Sequence, residues 1–224
     1  MIRPHARSLL GLLAAPLFIA QCAPTCAPPP PGPSAIAALS AAPIPVRPGF
    51  VEGVDFGFLA EKGGLYTRWD PCKDPITYQI DTTVAPTPDE VTAIHDAVAT
   101  ASAASGHTFQ YVGPVASATP APGVDAVIGY RALAVGNLGS GGGTPNVNLE
   151  LVQGTAYVQA GMTPDGRRLS LIHEIGHLLG LAHITDSTEV MFGAAVVPYF
   201  QGYQSGDLEG MRLVGASMPC FPAS

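Results

Sequence analysis

Charge is scarce in this chain. Only 12% of its 224 residues are charged, against about 25% in an ordinary soluble domain. Basic residues are the scarcer kind, with 10 Lys and Arg against 17 Asp and Glu. The positive surplus that nucleic-acid binding calls for is therefore missing. The bias toward Glu, Lys and Arg that marks a coiled coil is missing too, and there is no internal repeat. Low charge does not make the chain disordered, because 47% of it is hydrophobic, too much for an acidic solvated tail. Long apolar runs are also absent: the run from Leu9 to Ala20 has twelve residues, short of the ~20 that a bilayer-spanning helix needs, and no later stretch is apolar and long enough.

What is present begins at the amino terminus. Arg3, His5 and Arg7 precede an uncharged apolar run from Leu9 to Ala20. A basic start, a short apolar run and small residues beyond it form a secretory signal. Residues 1–27 are thus expected to be removed on export, by cleavage near Ala20, Ala23 or Ala27, giving a secreted protein. Ile19-Ala20-Gln21-Cys22 offers an alternative, a lipid anchor at the cell surface through Cys22, although Gln21 stands where such a motif wants a small residue. Residues 28–53, opening on four consecutive prolines, read as a disordered Pro-rich linker. Loss of residues 1–27 removes Arg3 and Arg7 and leaves 8 basic against 17 acidic residues, a net charge of −9. The exported chain is expected to be an acidic monomer that repels nucleic acid.

Cys72 and Cys220 lie near the two ends of the remaining domain, residues 54–224. In an oxidising compartment they are expected to pair rather than stay as two buried thiols. Such a bond would close a loop of roughly 150 residues and contribute up to about 5 kcal/mol in the chain-entropy account.

The domain reads as α+β. Ile76 to Asp81 alternates and is rich in β-formers, so it is a strand. Thr87, Pro88 and Glu90 form a helix start, Val91, Ile94, Val98 and Ala101 recur at helical spacing, and Gly106 ends the helix. Strands are expected at Thr108 to Val112, Val124 to Tyr130, Val147 to Val152 and Thr155 to Gln159. Gly136 to Thr144 reads as a glycine-rich loop; it lacks the Lys-Ser/Thr of a phosphate-binding loop. Helices are expected at Asp165 to Leu181 and at Ser205 to Val214, the latter capped by Ser205. Elements in this order suggest a mixed sheet with helices packed on it.

Residues 173–183 carry the chemistry: His-Glu-Ile-Gly-His-Leu-Leu-Gly-Leu-Ala-His. His173 and His177, four apart on a helix, project from one face and can share one metal ion, with Glu174 beside them. Gly180 can end the helix in a left-handed conformation, and the reversal lets His183 return as a third ligand. Three neutral nitrogens with an open fourth position describe a catalytic zinc site.

This segment resembles the HExxHxxGxxH signature of the metzincin metalloproteases, and the chain is similar to secreted bacterial matrixin-like zinc peptidases. Asp186 follows the third His where matrixins carry an Asp. Met191, in Glu189-Val190-Met191-Phe192, stands at the family's Met-turn, and Gly206 to Met211 resembles the start of its last helix. Arg68 to Cys72 and Ile76 to Tyr78 resemble the entry strand. The resemblance implies a mixed, mostly parallel five-stranded sheet with two main helices and a C-terminal helix. It implies an endopeptidase that holds one Zn2+ on His173, His177 and His183, uses Glu174 as general base, and is supported by Gly180 and Met191. Pro198 and Tyr199 are candidates for the wall of a substrate pocket, and a peptide substrate would lie along an edge strand near Val147 to Leu151. His95 and His107, by contrast, read as surface residues, with no second zinc expected. Asp125 and Glu150 are the candidates for any calcium site. A zinc-containing binding module with little turnover is the reading from another class, against which the intact Glu174 speaks.

Overall fold

The computed structural model describes residues 44–194 and 200–221. The expected signal, Cys22 and most of the linker lie outside the described residues. Two short strands come first, β1 (Glu61–Lys62) and β2 (Leu65–Tyr66), paired as a small hairpin. The main sheet follows: β3 (Ile76–Asp81), helix α1 (Pro88–Ser105), β4 (Phe109–Val115), β5 (Ala126–Arg131), β6 (Gly139–Pro145) and β7 (Leu151–Gln159). Helices α2 (Pro164–Leu178) and α3 (Ser205–Val214) complete the domain. The sheet has five strands in the order β4-β3-β5-β7-β6. All neighbours run parallel except the antiparallel pair β6 and β7. The fold is thus the expected mixed, mostly parallel sheet with three helices.

Local chemistry explains the helix starts. Thr87 accepts the Glu90 N–H at 3.3 Å, and Glu90 accepts the Thr87 N–H at 2.8 Å, a closed capping box. Thr163 caps α2 by accepting the Gly166 N–H at 3.3 Å, with Pro164 at the first helical position. The middle strand β5 is buried along nearly its whole length, as a parallel strand covered on both faces must be. On one face Ile80, Ile128 and Val158 pack against Ile94 and Val98 of α1 and Leu171 and Ile175 of α2. Each such side chain contributes about 1.5–3 kcal/mol by leaving water. On the other face, Tyr157 donates to the Ala118 carbonyl and Gln79 accepts the Ala121 N–H. The segment after β4 is thereby tied over the sheet.

Several expected elements shift. The glycine-rich stretch expected as a loop is the edge strand β6, ordered by its ladder to β7 rather than by β-propensity. Residues 146–150 form a turn, not the start of a strand. Asn146 accepts the N–H groups of Asn148 and Glu150, and Leu149 takes φ 65°. The two strands expected on either side of Gly154 are one continuous strand, β7. Helix α2 ends at Leu178, three residues early. Gln204, not Ser205, is the residue before α3. His107 is fully buried, not a surface residue: its Nδ1 lies 2.8 Å from Asp74. His95 is half-buried, with Nδ1 2.7 Å from the Tyr78 hydroxyl.

Cys72 and Cys220 are joined by a disulfide, with Cα atoms 5.5 Å apart. The end of the expected linker is packed on the domain, because buried Glu209 of α3 accepts the Arg47 N–H at 2.8 Å and Arg212 donates to the Pro45 carbonyl. No helix among the described residues is long and apolar enough to cross a membrane.

Candidate metal centre

Helix α2 presents His173 and His177 one turn apart. Beyond Leu178 the chain reverses through a two-bond C-cap. Leu181 N–H donates to Gly176 O at 3.0 Å and Gly180 N–H to His177 O at 3.0 Å, the Schellman arrangement. Gly180 sits at φ 106°, and a Cβ there would lie 2.2 Å from the Thr67 carbonyl oxygen. Both facts demand glycine. The reversal brings back exposed His183, fixed by its neighbours: Ala182 N–H donates to Gly57 O and Ile184 N–H to Met191 O.

The three imidazoles converge. His173 Nε2 lies 3.1 Å from His177 Nε2 and 3.1 Å from His183 Nε2. The His173–His177 contact is not a hydrogen bond between neutral rings. His173 Nδ1 lies 2.7 Å from the Val190 carbonyl oxygen and His177 Nδ1 2.8 Å from that of Leu181. A carbonyl cannot donate, so the proton of each ring is on Nδ1 and each Nε2 carries a bare lone pair. Lone pairs facing one another at 3.1 Å repel unless a cation lies among them. Ligand nitrogens about 2.0–2.1 Å from a tetrahedral centre stand about 3.4 Å apart, close to the spacing found. Burial lowers the His173 pKa and pushes that of His177 down to about 4. Both rings are therefore neutral at neutral pH, and the residues present fit a nitrogen-loving divalent ion.

Glu174 is buried beside this face, and burial pushes its carboxyl up to about 7. It shares with His173 and His183 a cleft of about 240 Å³ whose apolar walls include Leu169, Val190 and Phe200. The candidate wall residues Pro198 and Tyr199 lie outside the described residues. Met191 is buried under α2 and does not reach the nitrogens by any described contact; a Cβ on Gly176 would stand 2.4 Å from its Sδ. The Asp186 carboxylate accepts the N–H and hydroxyl of Thr188, which hold its pKa low and close a turn. The calcium candidates are already engaged. Asp125 accepts from Thr77 N–H and Oγ1, while Glu150 binds the Lys73 ammonium and Asn146.

Two carboxylates have roles that the sequence does not announce. Fully buried Asp207 accepts the N–H groups of Val190 at 2.8 Å, Met191 at 3.0 Å and Gln204 at 2.9 Å. Glu189 returns the arrangement by accepting the Gly206 and Asp207 N–H groups at 2.9 Å each, capping α3. Asp207 thus holds the peptide segment whose Val190 carbonyl orients His173. The only local signal is an acidic residue in the first turn of a helix, which ordinarily reads as a favourable charge at its N-terminus.

No protein-family model matches the chain, and no curated protein matches it.

Proposed function

We propose that this chain is an exported zinc-dependent endopeptidase. The observation that carries the proposal is the convergence of three imidazole Nε2 atoms, two of them stripped of protons by Nδ1 contacts to carbonyls, beside the carboxylate of Glu174 in an open cleft. His173, His177 and His183 would hold one Zn2+, and three protein nitrogens with room for a fourth ligand suit a catalytic ion rather than a structural one. When bound, zinc lowers the pKa of a coordinated water toward ~7 and polarises a carbonyl.

Glu174 does the proton work. Its carboxylate accepts the proton of the attacking water and then delivers it to the departing amine nitrogen. A buried carboxyl opening on the same cleft as the imidazoles stands where both halves of that exchange occur. The Val190 and Leu181 carbonyls hold two of the rings in the ligating tautomer. The expected substrate position moves. Residues 146–150 are a turn, and the strand with an open side next to the cleft is β6, so an extended peptide would add there. Export is supported by the basic, then apolar, amino terminus and by the Cys72–Cys220 bond.

The test is Glu174→Ala against a quenched peptide library, with metal content measured alongside. The variant should keep its metal and lose hydrolysis, and a chelator should silence the wild type. Substantial cleavage by the variant overturns the proton assignment. A folded, zinc-loaded wild type that cleaves nothing favours the binding-module reading.

A further inference from the structure

Strand β6 runs against α2 with almost no gap. Gly139, Gly141 and Gly143 share the face turned toward the helix, but they meet different atoms. A Cβ on Gly139 would lie 2.0 Å from Glu174 Oε1, 2.4 Å from its Cδ and 2.6 Å from its Cγ. On Gly141 it would lie 2.4 Å from the Glu174 backbone oxygen and 2.9 Å from its Oε2, and on Gly143 2.5 Å from Leu151 Cδ2. Neither Gly139 nor Gly143 has positive φ. The backbone of each would accept alanine, so the collision alone excludes a side chain.

Gly139 has a second face to show. Gln159 N–H donates to the Leu138 carbonyl at 2.9 Å, and Gly139 stands opposite Val158 in the antiparallel ladder. Hydrogen-bonded and non-bonded pairs alternate along such a ladder. The N–H and C=O of Gly139 therefore turn away from β7, toward the open edge. One residue touches the Glu174 carboxylate with its bare Cα and offers its backbone to whatever strand arrives.

We propose that Gly139 is a positioning residue: its missing side chain leaves the shelf on which the Glu174 carboxylate rests, and its outward backbone registers the bound peptide against that carboxylate. The catalytic half rests on the hydrolytic reading above; the contact itself does not.

The experiment compares Gly139→Ala and Gly143→Ala, each alone and combined with Glu174→Ala, by thermal unfolding, metal content and peptide hydrolysis. Both single variants should lose several degrees of Tm. Glu174→Ala removes the three atoms nearest to the new Cβ of Gly139→Ala, so it should restore most of that loss, and none of the loss in Gly143→Ala. With Glu174 intact, Gly139→Ala should keep its metal yet lose kcat by about 10²-fold, the order expected when a reacting group is displaced by ~1 Å. Gly143→Ala, whose new Cβ meets Leu151 and not Glu174, should lose at least tenfold less kcat than Gly139→Ala. Should Gly139→Ala fail to fold, the double variant must fold. Absence of thermal rescue overturns the contact, and equal kcat losses in the two glycine variants overturn the positioning role. A wild type without turnover, together with thermal rescue, fells the hydrolytic reading and leaves the contact standing.

Discussion

Replacing Asp207 with alanine would strip two buried backbone N–H groups, those of Val190 and Met191, and the half-buried one of Gln204, of their acceptor. A hydrogen bond to a charged group contributes about 1.5–3 kcal/mol net. Against this, the carboxylate is fully buried, and burial together with neighbouring Glu189 raises its pKa, so its own ionisation is costly here. The offset leaves a loss of about 3 kcal/mol, a large share of the 5–15 kcal/mol that holds an ordinary domain together. For a domain of this size that corresponds to a fall in Tm of about 10 °C. The same change frees the Val190 carbonyl, which fixes His173, and losing such an outer support typically weakens metal binding by about 10–100-fold. The assay is thermal unfolding of metal-free protein paired with competition for zinc against a chromophoric chelator. Asp207→Asn retains one acceptor oxygen and should fall between the two. An alanine variant with Tm within about 2 °C of wild type and unchanged zinc affinity would refute the reasoning.

His183→Ala leaves two imidazoles on α2, and the variant should lose its zinc on dialysis while staying folded; full occupancy after dialysis would remove His183 from the ligand set. Glu209→Gln probes the clamp between the amino-terminal segment and α3. Its hydrogen bond from Arg212 holds the Glu209 carboxyl below the ordinary value of 4.5. A depressed carboxyl stabilises the fold at pH values above that ordinary value and loses its contribution as pH falls through the lowered one. Glu209→Gln should therefore be less stable by about 1 kcal/mol at neutral pH, allowing for solvent around Arg47, and the gap should narrow as pH falls below the ordinary value and through the lowered one. A gap of constant size across that range would count against the ion pair.

What the sequence determined by itself is what short-range geometry controls. The capping box at Thr87, the glycine stop at Gly106 and the burial of Ile94, Val98 and Ala101 all follow from residues within one or two helical turns of each other. So does the placing of His173 and His177 on one face, and the reversal at Gly180 that returns His183. Only the tertiary structure decided the rest. Gly139 to Pro145 has no β-propensity to advertise, and becomes a strand because β7 supplies its ladder while Glu174 of α2 and Leu151 leave no room for a side chain at Gly139, Gly141 or Gly143. His107 looks like any polar residue after a helix until Asp74, 33 residues earlier, meets its buried ring. Asp207 looks like a favourable charge at a helix start, yet its acceptors' work is done on Val190 and Met191, 17 and 16 residues away. Pairings across such distances depend on which elements pack together, and that is settled by the sum of all the burial at once rather than by any local run of residues.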